Sequence, residues 1–147
     1  MLNTLKLIAS LFIIACLFLP LSSCHYQVPD QQQKGEMIDK VEYFYVLPKE
    51  SSNLGVWRFL PVIAFVLPFL LSLTTVVRKK SSAWQDGFGL LLSIAILAYI
   101  GIHYSFNRME IAAYIASLAA VTYFILTATT LVLAIRQRVQ QRANHSR

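Results

Sequence analysis

Few polar side chains in this sequence could do chemistry, and the densest group of them is His103, Arg108 and Glu110. A histidine in such a group could ligate a metal ion or a haem. His25 is predicted to lie in a polar linker and His145 on the opposite side of a membrane, so neither can supply a second ligand. We therefore interpret His103 as an interfacial histidine with a polar partner or water, and we predict no metal, no cofactor and no catalytic residue.

Cys24 is the other chemically distinctive residue, because it closely follows an apolar run. That run, residues 7–19, is short for a spanning helix and typical of a signal peptide, and Pro20 ends it. The next four residues resemble the lipobox of bacterial lipoprotein signal peptides: Leu21, Ser22, Ser23 and Cys24. The resemblance implies a signal peptide over residues 1–23, cleavage between Ser23 and Cys24, and lipidation of Cys24. The alternative is an uncleaved anchor that remains as a fourth helix.

The composition is typical of a membrane protein, with 56% hydrophobic and only 14% charged residues. The net charge is +6, and the basic residues cluster at the ends of apolar runs. They do not line one polar face, which argues against nucleic-acid binding. Three stretches are long enough to cross a bilayer: residues 57–77, 84–106 and 111–135. We expect an all-α membrane protein with three transmembrane helices, an N-terminal signal or anchor helix and a short extended outer segment.

The distribution of basic residues predicts the orientation of these helices. The turn at residues 78–83 and the tail at residues 136–147 are rich in lysine and arginine, whereas the turn at residues 107–110 contains one basic residue, Arg108. The positive-inside rule therefore places the first turn and the tail in the cytoplasm. Residues 24–56 then form an outer, periplasmic segment, and the protein is expected in the bacterial inner membrane as a multi-pass protein with a cytoplasmic C-terminus.

The outer segment contains one stretch with the pattern of a strand. Residues 40–47 are rich in aromatic and β-branched side chains, and Pro48 follows them, after a polar linker that begins at His25. This strand could dock a partner or rest on lipid headgroups. We expect it instead to pack over the outer ends of the protein's own helices, because isolated strands are rarely stable.

The third spanning helix carries small residues at a spacing of four, which favours close helix packing: Ala112, Ala116 and Ala120. The expected contact is with the other two spans, and association with another membrane protein or with a second copy is the alternative. The first span contains Pro68, which is expected to bend the helix, followed by hydroxyl side chains at Ser72, Thr74 and Thr75.

Asp86 is the one acidic residue within a predicted span, and it lies near the start of that span. Ser82 and Gln85 precede it in the pattern of a capping box, so Asp86 is predicted in the first helical turn, close to Lys79 and Lys80. We expect this carboxylate to lie at the membrane interface and not to be buried, which argues against a proton-relay role.

These features favour an accessory or interaction subunit that contacts membrane lipids and another membrane protein. Two other functions stay open. A component of a small transporter or channel would need a water-accessible polar face around Ser72, Thr74 and Thr75, and a membrane enzyme would need an outer site near His103.

Overall fold

The computed structural model describes residues 2–29, 37–47, 59–79, 82–106 and 108–145, and at residues 29, 103–106 and 142–145 it describes the backbone alone. Within these ranges the chain is mostly helical. The four α-helices are α1 (Leu2–Ala15), α2 (Leu60–Val77), α3 (Ala83–Phe106) and α4 (Ile111–His145). A 3₁₀ turn, Cys16–Phe18, continues α1.

The prediction of three long apolar helices is confirmed, since α2, α3 and α4 are each long and apolar enough to cross a membrane. Their bounds differ from the expected ones by a few residues at most, except that α4 continues as far as His145. Residues 57 and 58, expected at the start of the first span, lie outside the described residues. The expected tail is therefore largely a helical extension of the last span.

The four helices form a closed bundle. Helix α1 packs against α2 and α4, and α3 packs against the same two helices from the other side. The interior is filled by apolar side chains from all four helices, among them Ile13, Phe65, Ile96 and Ala116. The N-terminal helix is thus an integral part of the packed core.

The small-residue face of α4 lies inside this bundle. Ala112, Ala116 and Ala120 are buried, together with Ala113 and Ala119. Small side chains let helix backbones approach closely, and α4 uses them against α1 and α3. A partner that binds α4 must therefore contact its outward side, where large apolar side chains such as Ile111, Tyr114 and Leu118 are exposed.

The expectation of an all-α fold was wrong in one respect, because one end of the bundle carries a small antiparallel sheet. Its strands are β1 (Ser22–Pro29), β2 (Met37–Phe44) and β3 (Arg108–Met109), in the order β2-β1-β3. Strand β2 begins and ends three residues earlier than the predicted strand, and β1 includes residues that were expected to be a linker. The pattern did not predict β1 because polar sequences can form a strand when a neighbouring strand satisfies their backbone.

Candidate functional site

The most distinctive polar contact in the molecule is an ion pair buried inside the bundle. The Lys6 ammonium Nζ lies 2.6 Å from Oδ1 of Asp86, and the two side chains are only 2% and 3% exposed. The same ammonium donates a hydrogen bond of 2.5 Å to the hydroxyl of Thr130. One lysine on α1 therefore joins α1, α3 and α4.

The local structure of each helix explains how these three groups meet. Ser82 precedes α3, and its backbone N–H donates to the Gln85 side chain at 3.2 Å, which is one half of the predicted capping box. Asp86 follows in the first turn of α3, where the positive end of the helix dipole favours a carboxylate. Thr130 donates to the carbonyl of Thr127 on its own helix, which fixes its oxygen as an acceptor for Lys6.

The expectation that Asp86 is not buried was wrong, because its side chain is only 3% exposed. Lys6, eighty positions earlier in the chain, is a basic partner of Asp86, and Lys80, one of the two lysines expected near it, lies outside the described residues. Lys79 is exposed. The sequence pattern did not show this pairing because Lys6 and Asp86 lie far apart in the chain, and only the packing of α1 into the bundle brings them together.

A layer of hydroxyl groups lies beside the ion pair. Ser72 donates to the carbonyl of Pro68 at 2.7 Å, and Tyr123 approaches both Ser72 and that carbonyl at 3.4 Å. Thr75 and Thr127 donate to carbonyls of their own helices, each at 2.7 Å. Most of these hydroxyls thus bond to carbonyls within their own helix, as hydroxyl side chains in apolar helices commonly do.

The geometry of this layer bears on the transporter alternative. Ser72 and Thr75 are buried and Thr74 is exposed. The void between Lys6, Asp86, Ser72 and Tyr123 is too small to admit a water molecule. In the described part of the chain these residues therefore form a packed polar contact and not a hydrated pathway.

The lipobox-like residues lie at the start of β1, with Leu21 directly before the strand. Ser22 pairs with Phe44 of β2 and Met109 of β3, and Ser23 pairs with Tyr43 and Arg108. Both serines are buried. Cys24, the predicted lipidation site, is half-buried in the same strand, opposite Glu42.

Strand β2 is the most open element in the described structure. Its residues are exposed from Met37 to Tyr43, and Phe44 is half-buried. The expectation that this stretch packs over the helices was wrong for most of its length, because its pairing with β1 holds it away from them. Among the predicted strand residues that follow, Val46 alone is buried against the core.

The outer group His103, Arg108 and Glu110 is described only in part. The side chain of His103 lies outside the described residues. Arg108 is exposed, and Glu110 is half-buried with its backbone N–H donating to the carbonyl of Leu21 at 3.0 Å. In the described chain, no three histidine, cysteine or acidic side chains lie close enough to hold a metal ion.

No protein-family model, no curated protein and no solved structure matches this chain. The functional interpretation therefore rests on the geometry of the chain itself. The sequence did contain one signal for the ion pair. Lys6 is a single charge beside an N-terminal apolar run, and Asp86 is a single acid at the start of a span, so each could serve as the other's partner in an apolar environment.

Proposed function

We propose that this protein is an accessory subunit of a membrane-protein complex, and that it binds its partner through the hairpin formed by β1 and β2. We place it in the bacterial inner membrane with a cytoplasmic C-terminus, because the exposed basic residues at Arg78, Lys79, Arg136 and Arg138 lie at the same end of the bundle. The hairpin then lies on the periplasmic side.

The observation that carries this proposal is the exposure of a hairpin whose strand β2 carries several apolar side chains. Each strand has eight residues, so the hairpin extends about 27 Å. Strand β3 supports only its base, because it pairs with Ser22 and Ser23 alone. Beyond that point β1 and β2 have no third strand beside them among the described residues, and two-stranded hairpins are marginally stable in water. A partner that buries this hairpin would stabilise it.

The side chains of β2 indicate what the partner surface is like. Met37, Val41 and Tyr43 share one face of the strand, and they are 65%, 42% and 46% exposed. The other face includes Ile38, Lys40 and Glu42, which are also exposed. Edge strands with apolar side chains readily accept an added strand. We propose that the occupant is an extended segment of another membrane protein, paired in the sheet along β2.

Lipid contacts complete the proposed environment. The outward side chains of α2, α3 and α4 are apolar and largely exposed, among them Leu60, Leu91 and Leu118. In a bilayer these surfaces contact acyl chains, and a partner helix can also lie against them. Association of two copies through the outward side of α4 would be compatible with the same subunit role.

Lysine substitutions on β2 are expected to release the partner. In the Val41→Lys/Tyr43→Lys double variant, two charges on an edge strand oppose strand addition, so we expect the native complex to lose this subunit. The measurement is the native mass of the tagged subunit in lipid nanodiscs. The wild-type subunit should be part of a particle heavier than its own 16.6 kDa chain, and the variant should not.

Val139→Lys is the matched control, because Val139 is exposed at the opposite end of the molecule on the extension of α4. This control should remain in the complex. Loss of the complex in both variants, or in neither, would contradict docking on β2.

A further inference from the structure

We infer that α1 is kept as a fourth transmembrane helix, locked into the bundle by the Lys6–Asp86 ion pair, and that the folded chain protects the Ser23–Cys24 bond from cleavage. This inference concerns maturation and goes beyond the proposed partner binding. On this account the lipobox-like motif is not used. Three independent observations support it: the ion pair, the pairing of β1 and the burial of α1 in the core.

The first observation is the position of the ion pair. Both charges are almost completely buried, and an isolated charge in an apolar environment is strongly unfavourable. Removal of residues 1–23 would take Lys6 away and leave the Asp86 carboxylate buried without its ammonium partner. A discarded signal peptide has no need of a specific contact with a downstream helix, whereas a retained helix does.

The second observation is the pairing around the cleavage site. A peptidase needs the residues beside the scissile bond as free, extended backbone. Here Ser22 and Ser23 lie in the central strand and have a neighbour on each side. The backbone of Leu21 is hydrogen-bonded on both sides as well. Its N–H donates to the carbonyl of Phe44 at 2.9 Å, and its carbonyl accepts a hydrogen bond from the Glu110 N–H.

The third observation is the contribution of α1 to the core. Ala9, Ile13, Cys16 and Leu17 are buried on one side of the N-terminal helix, against α2 and α4. Cleavage before Cys24 would remove all of them, together with both residues of β1 that pair with β3. The apolar helix, Leu2–Phe18, is about 25 Å long, a little shorter than the hydrocarbon core, and a bilayer accommodates such a difference by local thinning.

The helix direction is consistent with retention. The start of α1 lies at the end of the bundle where α3 begins, since Lys6 contacts Asp86 in the first turn of α3. The end of α1 leads into β1 at the other end of the bundle. With α2 and α4 running back toward the basic turn and tail, a retained α1 has its N-terminus on the same side as the C-terminus.

The intact mass of the membrane-extracted wild-type protein tests retention. We expect the full-length chain of 16.6 kDa, with Cys24 carrying no acyl group. A chain of residues 24–147, with a diacylglyceryl group on the Cys24 sulfur, would overturn the inference. It would leave the proposed function standing, because residues 24–29 could still pair with β2 and expose the same hairpin edge.

The reactivity of Cys16 tests whether the Lys6–Asp86 ion pair holds α1 in the bundle. Cys16 is buried and unpaired, so a membrane-permeant maleimide should modify it slowly in a Cys24→Ser background, which has no other cysteine. Lys6→Met or Asp86→Asn should each increase the labelling rate by about tenfold or more, because each leaves one buried charge without its partner. The Lys6→Met/Asp86→Asn double variant should be within about threefold of the background protein, since neither charge remains.

Asp39→Asn is the control for the loss of a carboxylate, since Asp39 is exposed on β2, and it should label like the background protein. Equal labelling rates in all variants would overturn the claim that the Lys6–Asp86 ion pair holds α1 in the bundle. So would a double variant whose labelling rate increases by the product of the two single increases, because its two substitutions would then act independently of each other.

Discussion

Replacing Asp86 with asparagine is expected to lower the free energy of unfolding by about 3–5 kcal/mol, because it leaves the buried Lys6 ammonium without its counter-charge. Lys6→Met should have a similar effect for the complementary reason. The neutral hydrogen bond that asparagine could keep with Lys6 is too weak to replace the ion pair. The measurement is reversible unfolding in mixed micelles with increasing fractions of a denaturing detergent, followed by far-UV circular dichroism.

The Lys6→Met/Asp86→Asn double variant distinguishes an interaction from two separate defects. When both charges are removed no ion is left unpaired, and buried ion pairs replaced by neutral groups often cost little. We therefore expect the double variant to recover most of the lost stability, which makes the coupling energy large and favourable. If the two losses simply add, Lys6 and Asp86 do not interact in the folded protein.

Replacing Phe65 with alanine is expected to lower the free energy of unfolding by about 3–5 kcal/mol in the same assay. The Phe65 ring is completely buried in the middle of the bundle. It meets the ring of Tyr99 on α3 edge-on, with 6.2 Å between ring centroids and an angle of 83° between ring planes. The substitution removes this contact and leaves a cavity that the neighbouring helices can only partly fill.

Phe88→Ala is the matched control for Phe65→Ala. Phe88 is on α3 and is 40% exposed toward the outside of the bundle, where lipid or detergent can replace the lost ring. Its substitution should change the free energy of unfolding by less than about 1 kcal/mol. Equal losses at the two positions would contradict the packing described for α2 and α3.

The three long apolar helices could be predicted from the sequence because hydropathy and run length are local properties. The start of α3 after Ser82 and the end of α2 near Arg78 follow from capping residues and basic residues that lie within a few positions of each helix end. The small-residue face of α4 was also visible, since its spacing of four residues is a property of one helix. The neighbours that this face contacts were not visible.

The ion pair and the sheet could not be predicted with the same methods because both depend on residues far apart in the chain. Lys6 and Asp86 are separated by eighty positions, and β3 pairs with Ser22 and Ser23, which come more than eighty positions earlier in the chain. The residues from Leu21 to Cys24 show the limit most clearly. Their types and order are those of a lipobox, yet the fold places Ser22, Ser23 and Cys24 in the strand at the centre of a sheet, and no local pattern distinguishes a lipobox from such a strand.

Photo-crosslinking from β2 in living cells tests the accessory-subunit proposal most directly. A photoreactive residue at position 41, where Val41 is exposed on the strand, should give one discrete adduct with another membrane protein, and the same residue at position 139 should not give that adduct. The adduct should disappear when Tyr43→Lys is added. Adducts with lipid alone, with a second copy of this chain alone, or none at all from position 41 would contradict partner docking on the hairpin.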